Sequence, residues 1–490
     1  MPAPRVLFVA SEAYPLAKTG GLADVAGALP GALRDLGVDA RLLLPAYRGV
    51  REAFDGTDRV ARLVVDSHRV VLWQGQLPGG CPVYLIDVPA LFDREGDPYH
   101  DASGQPWADN AARFALFCRV AELIACAEAG LDWCPDLVHC NDWQSGLVPV
   151  RLAARSRRPR TVFTIHNLAY QGLFPAETFS RLDLPPGSWS LDGVEFHGQV
   201  SFIKGGIAYA DRVTTVSPSY AREIQTPETG AGLEGLLRHR REALSGILNG
   251  IDTAVWNPAR DPHLPQRYSV VQLAGKAYNK AALQEEFGMR PDARRPLCCF
   301  IGRLVEQKGA DLLLRQLPQL LAAGGQLLIL GSGDKTLETQ LVQAAAARPD
   351  AVAARIGYDE ALAHRLQGGA DLLLMPSRFE PCGLNQLYAM AYGTVPVVHA
   401  VGGLADSVTE ATSATIGDGS AGGFRFQAMT SDAFGRAIER ALALYRDAQD
   451  WLALRRVIMA KDHSWRRSAE VYLDLYRALL ATDTTVPPAA

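Results

Sequence analysis

Short, uninterrupted apolar segments alternate with helical patterns along this chain, and this alternation constrains its fold more than any other feature. In the first half the apolar segments are Val6–Ala10, Ala40–Leu44, Leu137–His139, Thr161–Ile165 and Arg212–Val216. Strands that are apolar on both faces occur in parallel sheets that helices cover on each side. The sequence therefore predicts an α/β fold. The region from Phe54 to Trp107 breaks the alternation, which predicts an antiparallel or irregular insertion there.

A turn-rich stretch separates this series from a second one. Residues 246–265 contain Asn-Gly, Asn-Pro and Asp-Pro pairs, a density of turn formers typical of a connection between domains. After it, the predicted strands are Leu297–Ile301, Gln326–Leu330, Ala370–Met375 and Val395–His399, and the predicted helices are Gly309–Leu321, Lys335–Ala347, Leu384–Tyr392 and Asp432–Tyr445. We expect two Rossmann-like domains, residues 1–250 and 251–460, that face a deep cleft. A C-terminal helix within residues 461–482 and a disordered tail, residues 483–490, are expected to complete the chain.

The composition excludes several classes of protein. The chain is 48% hydrophobic and 21% charged, as globular proteins are, and its net charge of −4 opposes a broad electrostatic contact with nucleic acid. No apolar stretch reaches the roughly 18–20 residues that a membrane span needs. The eight cysteines have no regular spacing and no C-x-x-C pair, which suits a reducing compartment. We expect a cytoplasmic protein that binds neither nucleic acid nor membranes.

A glycine-rich loop follows the first predicted strand, at the end where ligands of open α/β sheets bind. Residues 18–25 read KTGGLADV and open a helix. Gly20 and Gly21 allow a ligand to approach the backbone closely, the helix N-terminus favours phosphate, and Lys18 adds a mobile cation. A tight turn with an exposed lysine explains the same residues, and composition alone does not separate the two interpretations.

Two cations follow a strand in the second half. Arg303 and Lys308 come after Leu297–Ile301, and a rigid guanidinium fork with a compact ammonium suits a leaving diphosphate, although surface cations are also common. The Gly331–Thr336 segment lacks the third glycine or alanine of a dinucleotide fingerprint. With no D-x-D triplet and no His/Cys cluster, the sequence predicts neither a metal nor a cofactor. Lys18, Arg303, Lys308 and backbone amides would then neutralise the diphosphate.

The most informative motif is Ser377–Gln386, which also follows an apolar strand and opens a helix. Glu380 can accept hydrogen bonds from sugar hydroxyls, while the backbone N–H groups of Gly383 and Leu384 bind phosphate. The alternative for Glu380 is a favourable charge near a helix N-terminus and nothing more. For Cys382, a small buried residue is favoured over a nucleophile.

Polar side chains also follow two predicted strands in the first half. His166 directly follows the predicted strand Thr161–Ile165. A lone histidine is more often structural than catalytic. Hydrogen-bonding residues surround this one in the sequence, however, as a sugar site requires. The run from 139 to 144, HCNDWQ, places Asp142 and Trp143 at a similar position. Trp143 can offer a stacking face to a glucose ring or belong to the core.

Four motifs in this order make the chain resemble the bacterial glycogen synthase and plant starch synthase family. They are Lys18–Leu22, His166–Gly172, Asn249–Asp252 and Ser377–Gln386, and the resemblance extends from about Arg5 to Leu480. It implies a GT-B glycosyltransferase whose last helix crosses back to the first domain. It also implies retaining transfer of glucose from ADP-glucose to the non-reducing end of an α-1,4-glucan, with release of ADP and without metal. The first domain would serve the glucan acceptor and the second the nucleotide-sugar donor.

The resemblance also implies roles for individual residues. Glu380 and His166 would hold the glucose hydroxyls, with Asp142 nearby, while Arg303 and Lys308 would neutralise the leaving group. The residues implied to bind the donor are Lys18, Gly20, Gly21, Asn249, Tyr358, Cys382, Gly383, Leu384, Gly402 and Gly403, with Tyr358 against the adenine.

One departure from the family lies in the last phosphate-facing loop. Where the family usually has threonine before a glycine pair, this chain has Val401 before Gly402 and Gly403. A side-chain hydroxyl is lost there, whereas the backbone amides are expected to remain available. The departure therefore bears on donor affinity more than on activity.

Three other functions remain open from the sequence. Another retaining GT-B transferase would make sucrose, trehalose or a lipid-linked sugar, although the Lys18–Gly21 loop argues against a small acceptor. A glucan-binding protein without catalysis is a second alternative. It would not need Lys18, His166, Arg303, Lys308 and Glu380 together. An NAD-dependent oxidoreductase has little support, because the dinucleotide fingerprint is incomplete.

Overall fold

Apolar strands at the predicted places form the central sheets of two units. In the computed structural model, which describes residues 3–54 and 56–481, the first unit is the chain up to Gly250 together with the segment from Trp465 onwards. The second unit is Ile251–Ser464. In sequence, the second unit is therefore inserted between the main part of the first unit and its last helix.

The first unit is built on one large, mostly parallel sheet. Its described strands are β1 (Arg5–Val9), β2 (Asp39–Pro45), β3 (Asp58–Val65), β4 (His68–Gln76), β5 (Pro82–Asp87), β6 (Leu137–Asn141), β7 (Arg160–Ile165), β8 (Leu173–Pro175), β9 (Glu195–Phe196), β10 (Gln199–Ser201), β11 (Arg212–Thr215) and β12 (Leu244–Gly246). The main sheet has the order β12-β11-β7-β6-β1-β2-β5-β4-β3, and β8, β10 and β9 form a small separate sheet. Strand β4 pairs antiparallel with both β3 and β5, so the predicted antiparallel insertion is confirmed.

Helices cover the main sheet of this unit. They are α1 (Gly21–Asp35), α2 (Pro89–Phe92), α3 (Asn110–Ala125), α4 (Leu147–Ala153), α5 (Phe202–Tyr209), α6 (Pro218–Glu223) and α7 (Glu234–His239). In α1 the buried side chains include Leu22, Val25, Leu29 and Leu33, which recur at the three- and four-residue spacing of one helix face.

The second unit has a fully parallel sheet. Its described strands are β13 (Leu297–Ile301), β14 (Gln326–Gly331), β15 (Val352–Ile356), β16 (Leu372–Met375), β17 (Val395–His399) and β18 (Phe424–Phe426), in the order β15-β14-β13-β16-β17-β18. Its helices are α8 (Ala274–Glu286), α9 (Ala310–Ala322), α10 (Lys335–Ala347), α11 (Glu360–Gly369), α12 (Asn385–Ala391), α13 (Gly402–Ser407), α14 (Ser413–Gly417), α15 (Ser431–Tyr445) and α16 (Ala448–Ala460).

Both faces of this second sheet are buried. Cys298 of β13 belongs to one apolar cluster, whereas Leu297 and Cys299 on either side of it belong to another. Successive strand residues point to opposite faces, so the two clusters lie on the two sides of the sheet. This explains why the strand reads as a continuous apolar run. Small boundary differences remain: β16 begins at Leu372 and not at Ala370, because the Ala370 N–H donates to Leu366 O and ends α11.

The last described helix, α17 (Trp465–Ala481), packs in the first unit. The hydroxyl of Tyr476 lies 2.6 Å from His139 Nδ1 on β6, and Ser468 Oγ donates to Leu248 O at 2.5 Å. The predicted tail, 483–490, lies outside the described residues. Among residues 3–54 and 56–481, no helix is long and apolar enough to cross a membrane.

Candidate active site

In each unit, most candidate residues lie where parallel strands end. In the first unit all but Asn249 follow β1, β6 and β7, which are neighbours in the sheet order, so their carboxyl ends meet at one edge. In the second unit all but Tyr358 follow β13, β16 and β17, which are also neighbours. No group of three His, Cys, Asp or Glu side chains suited to a metal ion occurs in the part of the chain that the structure describes.

A buried carboxylate organises the glycine-rich loop after β1. Glu12 is 3% exposed and accepts hydrogen bonds from Thr19 N and Thr19 Oγ1, both at 2.6 Å, and from Gly20 N at 3.1 Å. It also accepts from Tyr99 OH at 2.5 Å. The Gly20 N–H is therefore used inside the protein. Glu12 was not assigned a role from the sequence, although a carboxylate just after a buried strand is a signal for one.

The loop nevertheless leaves room for a ligand. A Cβ at Gly20 would meet no heavy atom within 4 Å, so open space lies in front of the backbone there. The Lys18 ammonium contacts Asp24 Oδ1 at 3.0 Å and lies 5.2 Å from the ring centre of Tyr14. Lys18 is thus held by α1 and by the preceding segment, and it is not the mobile cation that the sequence suggests.

Asp142 fixes the turn that carries His166. Its carboxyl Oδ1 accepts the backbone N–H of His166 at 2.7 Å and that of Asn167 at 3.4 Å. Asp142 itself has a φ of 54°, in the left-handed region that non-glycine residues seldom adopt. Burial raises the pKa of Asp142 to about 7. The structure thus brings together Asp142 and His166, as the resemblance implies.

The imidazole of His166 is neutral and has a fixed tautomer. Its Nε2 lies 2.9 Å from Asn141 Oδ1, and the Asn141 amide nitrogen donates to Val9 O and His139 O. Because that amide oxygen can only accept, His166 Nε2 carries the proton and Nδ1 is left as an acceptor. Burial lowers the pKa of His166 to about 3. His166 can therefore accept a hydrogen bond from a ligand hydroxyl but cannot supply a positive charge.

The raised pKa of Asp142 predicts a pH-dependent stability. Because the folded value of about 7 lies above the ordinary 3.8, Asp142 stabilises the fold at low pH, and this contribution is lost as the pH rises toward 7. We expect the free energy of unfolding of the wild type to fall more between about pH 5 and pH 8 than that of Asp142→Asn, by about 1.4 kcal/mol for each pH unit from 5 up to the folded pKa of about 7. Urea titrations at the two pH values measure the difference.

Asp136→Asn is the control for this prediction. Burial opposes ionisation of Asp136, but the Arg5 guanidinium outweighs it and lowers the pKa, so this carboxyl is ionised at both pH values. Its substitution should change stability equally at pH 5 and pH 8. A parallel shift for Asp142→Asn would contradict the prediction.

Asn249 and Trp143 are two further residues of the first unit that the sequence singles out. Asn249 is 8% exposed, and no described residue donates a hydrogen bond to its buried Oδ1. Trp143 packs its ring against Phe114, Phe174 and Phe202 at centroid distances of 5.0, 5.8 and 6.1 Å. These contacts favour the core interpretation of Trp143.

In the second unit, Lys308 and Glu380 form a close ion pair. Lys308 Nζ lies 2.5 Å from Glu380 Oε2, which also accepts from Ser377 Oγ at 3.0 Å. Arg303 is linked to them through Gln307, whose Oε1 accepts from Arg303 at 3.2 Å and whose amide donates to Phe379 O at 2.6 Å. Three predicted residues are thus gathered at one sheet edge. Ser377 was not assigned a role from the sequence.

The two glycine-containing loops after β16 and β17 pack tightly on each other. A Cβ would lie 2.0 Å from Glu380 O at Gly402 and 2.2 Å from Cys382 O at Gly403. The Gly403 N–H donates to the carbonyl oxygens of Glu380 and Pro381, both at 3.1 Å. The expectation that the amides of this loop remain available is therefore wrong for Gly403. These glycines instead allow the loop that contains Glu380 to contact its neighbour.

The remaining predicted residues fall into two places. Cys382 is 5% exposed, so it is the small buried residue favoured from the sequence, and Gly383 has a φ of 70° just before Leu384 at the start of α12. Tyr358 follows β15, the edge strand of the sheet, and is 73% exposed. Strands β14 and β13 separate it from the strand that leads to Glu380.

Known proteins are similar to this chain over nearly its whole length. Residues 5–239 match the sequence profile of the starch synthase catalytic domain, and residues 295–443 match that of the glycosyl transferases group 1. Glycogen synthase 1 of Methylococcus capsulatus is 53% identical over 97% of this chain and 97% of its own length. The chain belongs to the glycogen and starch synthase family. Glycogen synthase of Thioalkalivibrio sulfidiphilus, another member, is also 53% identical, over 97% of this chain and 100% of its own length.

Solved structures agree with this family assignment. The catalytic domain of starch synthase IV from Arabidopsis thaliana, bound to ADP and acarbose, matches with a TM-score of 0.90 and 34% identity, covering 98% of this chain and 100% of that one. Sucrose-phosphate synthase from Thermosynechococcus elongatus matches with a TM-score of 0.61 at 18% identity, over 98% of this chain and 100% of that chain, which is a likeness of fold. The GT-B fold predicted for this glycosyltransferase family member is confirmed.

Proposed function

We propose that this chain extends α-1,4-glucans by transferring glucose from ADP-glucose to their non-reducing ends, with retention of configuration and release of ADP. The proposal rests on one observation above all, the Lys308–Glu380 pair with Ser377 at a sheet edge of the second unit. The starch synthase IV structure, 34% identical to this chain, holds ADP and acarbose, which supports a nucleotide donor and a glucan-like acceptor.

The chemistry of the second unit suits a donor whose leaving group is a diphosphate. Arg303 and Lys308 supply two cations that can stabilise the negative charge that develops as the glycosidic bond to phosphate breaks. Glu380 holds the Lys308 ammonium at 2.5 Å and keeps a carboxylate oxygen for a sugar hydroxyl. Charge neutralisation by these side chains fits a reaction without metal, which remains a prediction, as does a cytoplasmic location.

The first unit would contribute neutral hydrogen-bonding groups. His166 offers its Nδ1 as an acceptor, because Asn141 fixes the proton on Nε2. Asp142 holds the backbone of that turn through the His166 N–H at 2.7 Å. A neutral acceptor suits a glucose hydroxyl, so we assign His166 to sugar binding and Asp142 to its support.

Glucose transfer to glycogen tests the proposal directly. We expect chain extension from ADP-glucose in the presence of a metal chelator, at a rate within about twofold of that without chelator. UDP-glucose, tested side by side, should be the poorer donor. Anomeric analysis of the product by NMR should show new α-1,4 linkages.

Each other outcome changes the proposal in a defined way. Extension mainly from UDP-glucose would keep the reaction and replace the nucleotide. Loss of activity with the chelator, restored by a divalent cation, would refute the metal-free mechanism. Failure of both donors to extend a glucan in a folded sample would refute the proposed function, and a small-molecule acceptor would then be tested.

A further inference from the structure

A buried histidine in the second unit faces two acceptors. His399 is the last residue of β17 and is 6% exposed. Its Nδ1 lies 2.8 Å from the backbone oxygen of Ser377, and its Nε2 lies 2.9 Å from the backbone oxygen of Gln427. Both distances are those of hydrogen bonds. Each ring nitrogen is thus directed at a carbonyl oxygen.

Carbonyl oxygens can accept hydrogen bonds but cannot donate them. A neutral imidazole has one N–H and one lone pair, so it can satisfy only one of the two contacts of His399, and the other would set a lone pair against a lone pair. An imidazolium carries a hydrogen on both nitrogens and satisfies both contacts. The two carbonyl partners therefore favour the charged ring.

His139 shows the opposite arrangement in the first unit. Its Nδ1 lies 2.6 Å from Tyr476 OH and its Nε2 lies 2.6 Å from Thr164 Oγ1. Hydroxyl groups can donate or accept, so a neutral ring satisfies both contacts. Burial, with a smaller effect of His166, lowers the pKa of His139 to about 3. The hydrogen-bond partners of a buried histidine, and not burial alone, thus decide whether the neutral ring or the imidazolium satisfies its contacts.

The surroundings of His399 can support a buried charge. Its ring stacks on Phe426 with centroids 5.0 Å apart and an angle of 23° between the planes. The charged residues on the elements packed against it are Glu380 and Arg378, in the loop after β16, and Arg425 on β18. The Glu380 carboxylate accepts from Ser377 Oγ at 3.0 Å, and Arg378 is paired with Asp311. Two charge-assisted hydrogen bonds to the carbonyl oxygens offset the cost of burial.

We propose that His399 is a positioning residue, held as an imidazolium, that fixes the loop containing Ser377 and Glu380. It joins the carboxyl ends of three neighbouring strands: Ser377 follows β16, His399 ends β17 and Gln427 follows β18. Through Ser377 it sets the place of Glu380 and so of Lys308. The positioning role rests on the proposed function, whereas the charge state of the ring does not.

¹⁵N NMR of wild-type protein that contains ¹⁵N-labelled histidine tests the charge state of His399 without any activity assay. At about pH 7.5, where ordinary histidines are mostly neutral, we expect an imidazolium signal with two N–H protons that is missing in His399→Gln. His139 and His166 should give neutral rings in the same spectrum, because burial lowers the pKa of each to about 3. His364, which pairs with Asp261 at 2.7 Å, should give the same signal in both proteins, and a wild-type spectrum without an imidazolium that His399→Gln removes would overturn the proposal.

Donor kinetics test the positioning role. In His399→Gln the amide oxygen must face one of the two carbonyl groups, so we expect the KM for ADP-glucose to rise about tenfold with a smaller change in kcat. His399→Arg can donate to both oxygens and is always charged, so it should keep a KM within about threefold of wild type.

The outcomes separate this proposal from the proposed function. An unchanged KM in His399→Gln would overturn the positioning role. If the wild type transfers no glucose, the affinity for ADP measured by calorimetry takes the place of KM in the same comparison. If the glutamine variant does not fold, the wild-type spectrum and the KM of the arginine variant decide.

Discussion

Lys308→Ala is expected to lower kcat for glucose transfer by about 10²–10³-fold, the usual cost of removing one group that stabilises transition-state charge. The ammonium lies 2.5 Å from Glu380, and its side chain is only 23% exposed. Its partial burial makes its charge act with little screening by water. Steady-state kinetics with ADP-glucose and glycogen measure the loss.

Stability should fall much less than rate in this variant. Glu380 keeps the hydrogen bond from Ser377 and can bind a proton, so we expect a cost of about 1–3 kcal/mol in the free energy of unfolding. Lys335→Ala is the matched control. Lys335 pairs with Glu338 at 2.7 Å, but its side chain is 86% exposed. Its loss should therefore leave kcat and the free energy of unfolding nearly unchanged. If activity and thermal stability fell in proportion in Lys308→Ala, the catalytic role of the lysine would be refuted.

Gly402→Ala is expected to reduce activity by about 10²-fold or more, because misplacement of a positioning loop by about 1 Å has effects of this size. Gly402 has a φ of 45°, and an added Cβ would lie 2.0 Å from Glu380 O. The two loops must separate to admit it, which disrupts the hydrogen bond from Gly403 N to Glu380 O at 3.1 Å. Kinetics and urea unfolding of the same preparation measure both consequences.

The control for this variant is Gly417→Ala in the same unit. Gly417 ends α14, and a Cβ there would meet no heavy atom within 4 Å. We expect no loss of activity and a stability within about 1 kcal/mol of wild type. Normal kinetics in Gly402→Ala would mean that the contact between the two loops does not determine the position of Glu380.

The central strands could be predicted from the sequence because both of their faces are buried. The bounds of β13 and β17 agree with the prediction to the residue, since every position in these strands is apolar or lies at the strand end. The region from 54 to 107 was harder, because β3 has one face toward solvent and its residues alternate. The sequence predicted an antiparallel or irregular insertion there, but neither the strand boundaries nor the pairing of β3 with β4.

The candidate site was predicted in its residues but not in its hydrogen bonds. Lys308 and Glu380 follow different strands, and their meeting follows from strands β13 and β16 being neighbours. The role of Glu12 depends on Tyr99, which lies 87 positions away in the sequence, and no local pattern indicates such a contact. The use of the Gly403 N–H by Glu380 O likewise depends on how two loops pack.

The order of synthesis gives the position of α17 a further meaning. The second unit is one continuous stretch, Ile251–Ser464, so all of it has been synthesised before the last helix is made. The first unit is discontinuous, because it includes α17, whose Tyr476 contacts His139 on β6. The N-terminal part of the first unit therefore remains without α17 while more than two hundred residues are translated. A nascent chain that stops before Trp465 lacks the helix that contacts β6.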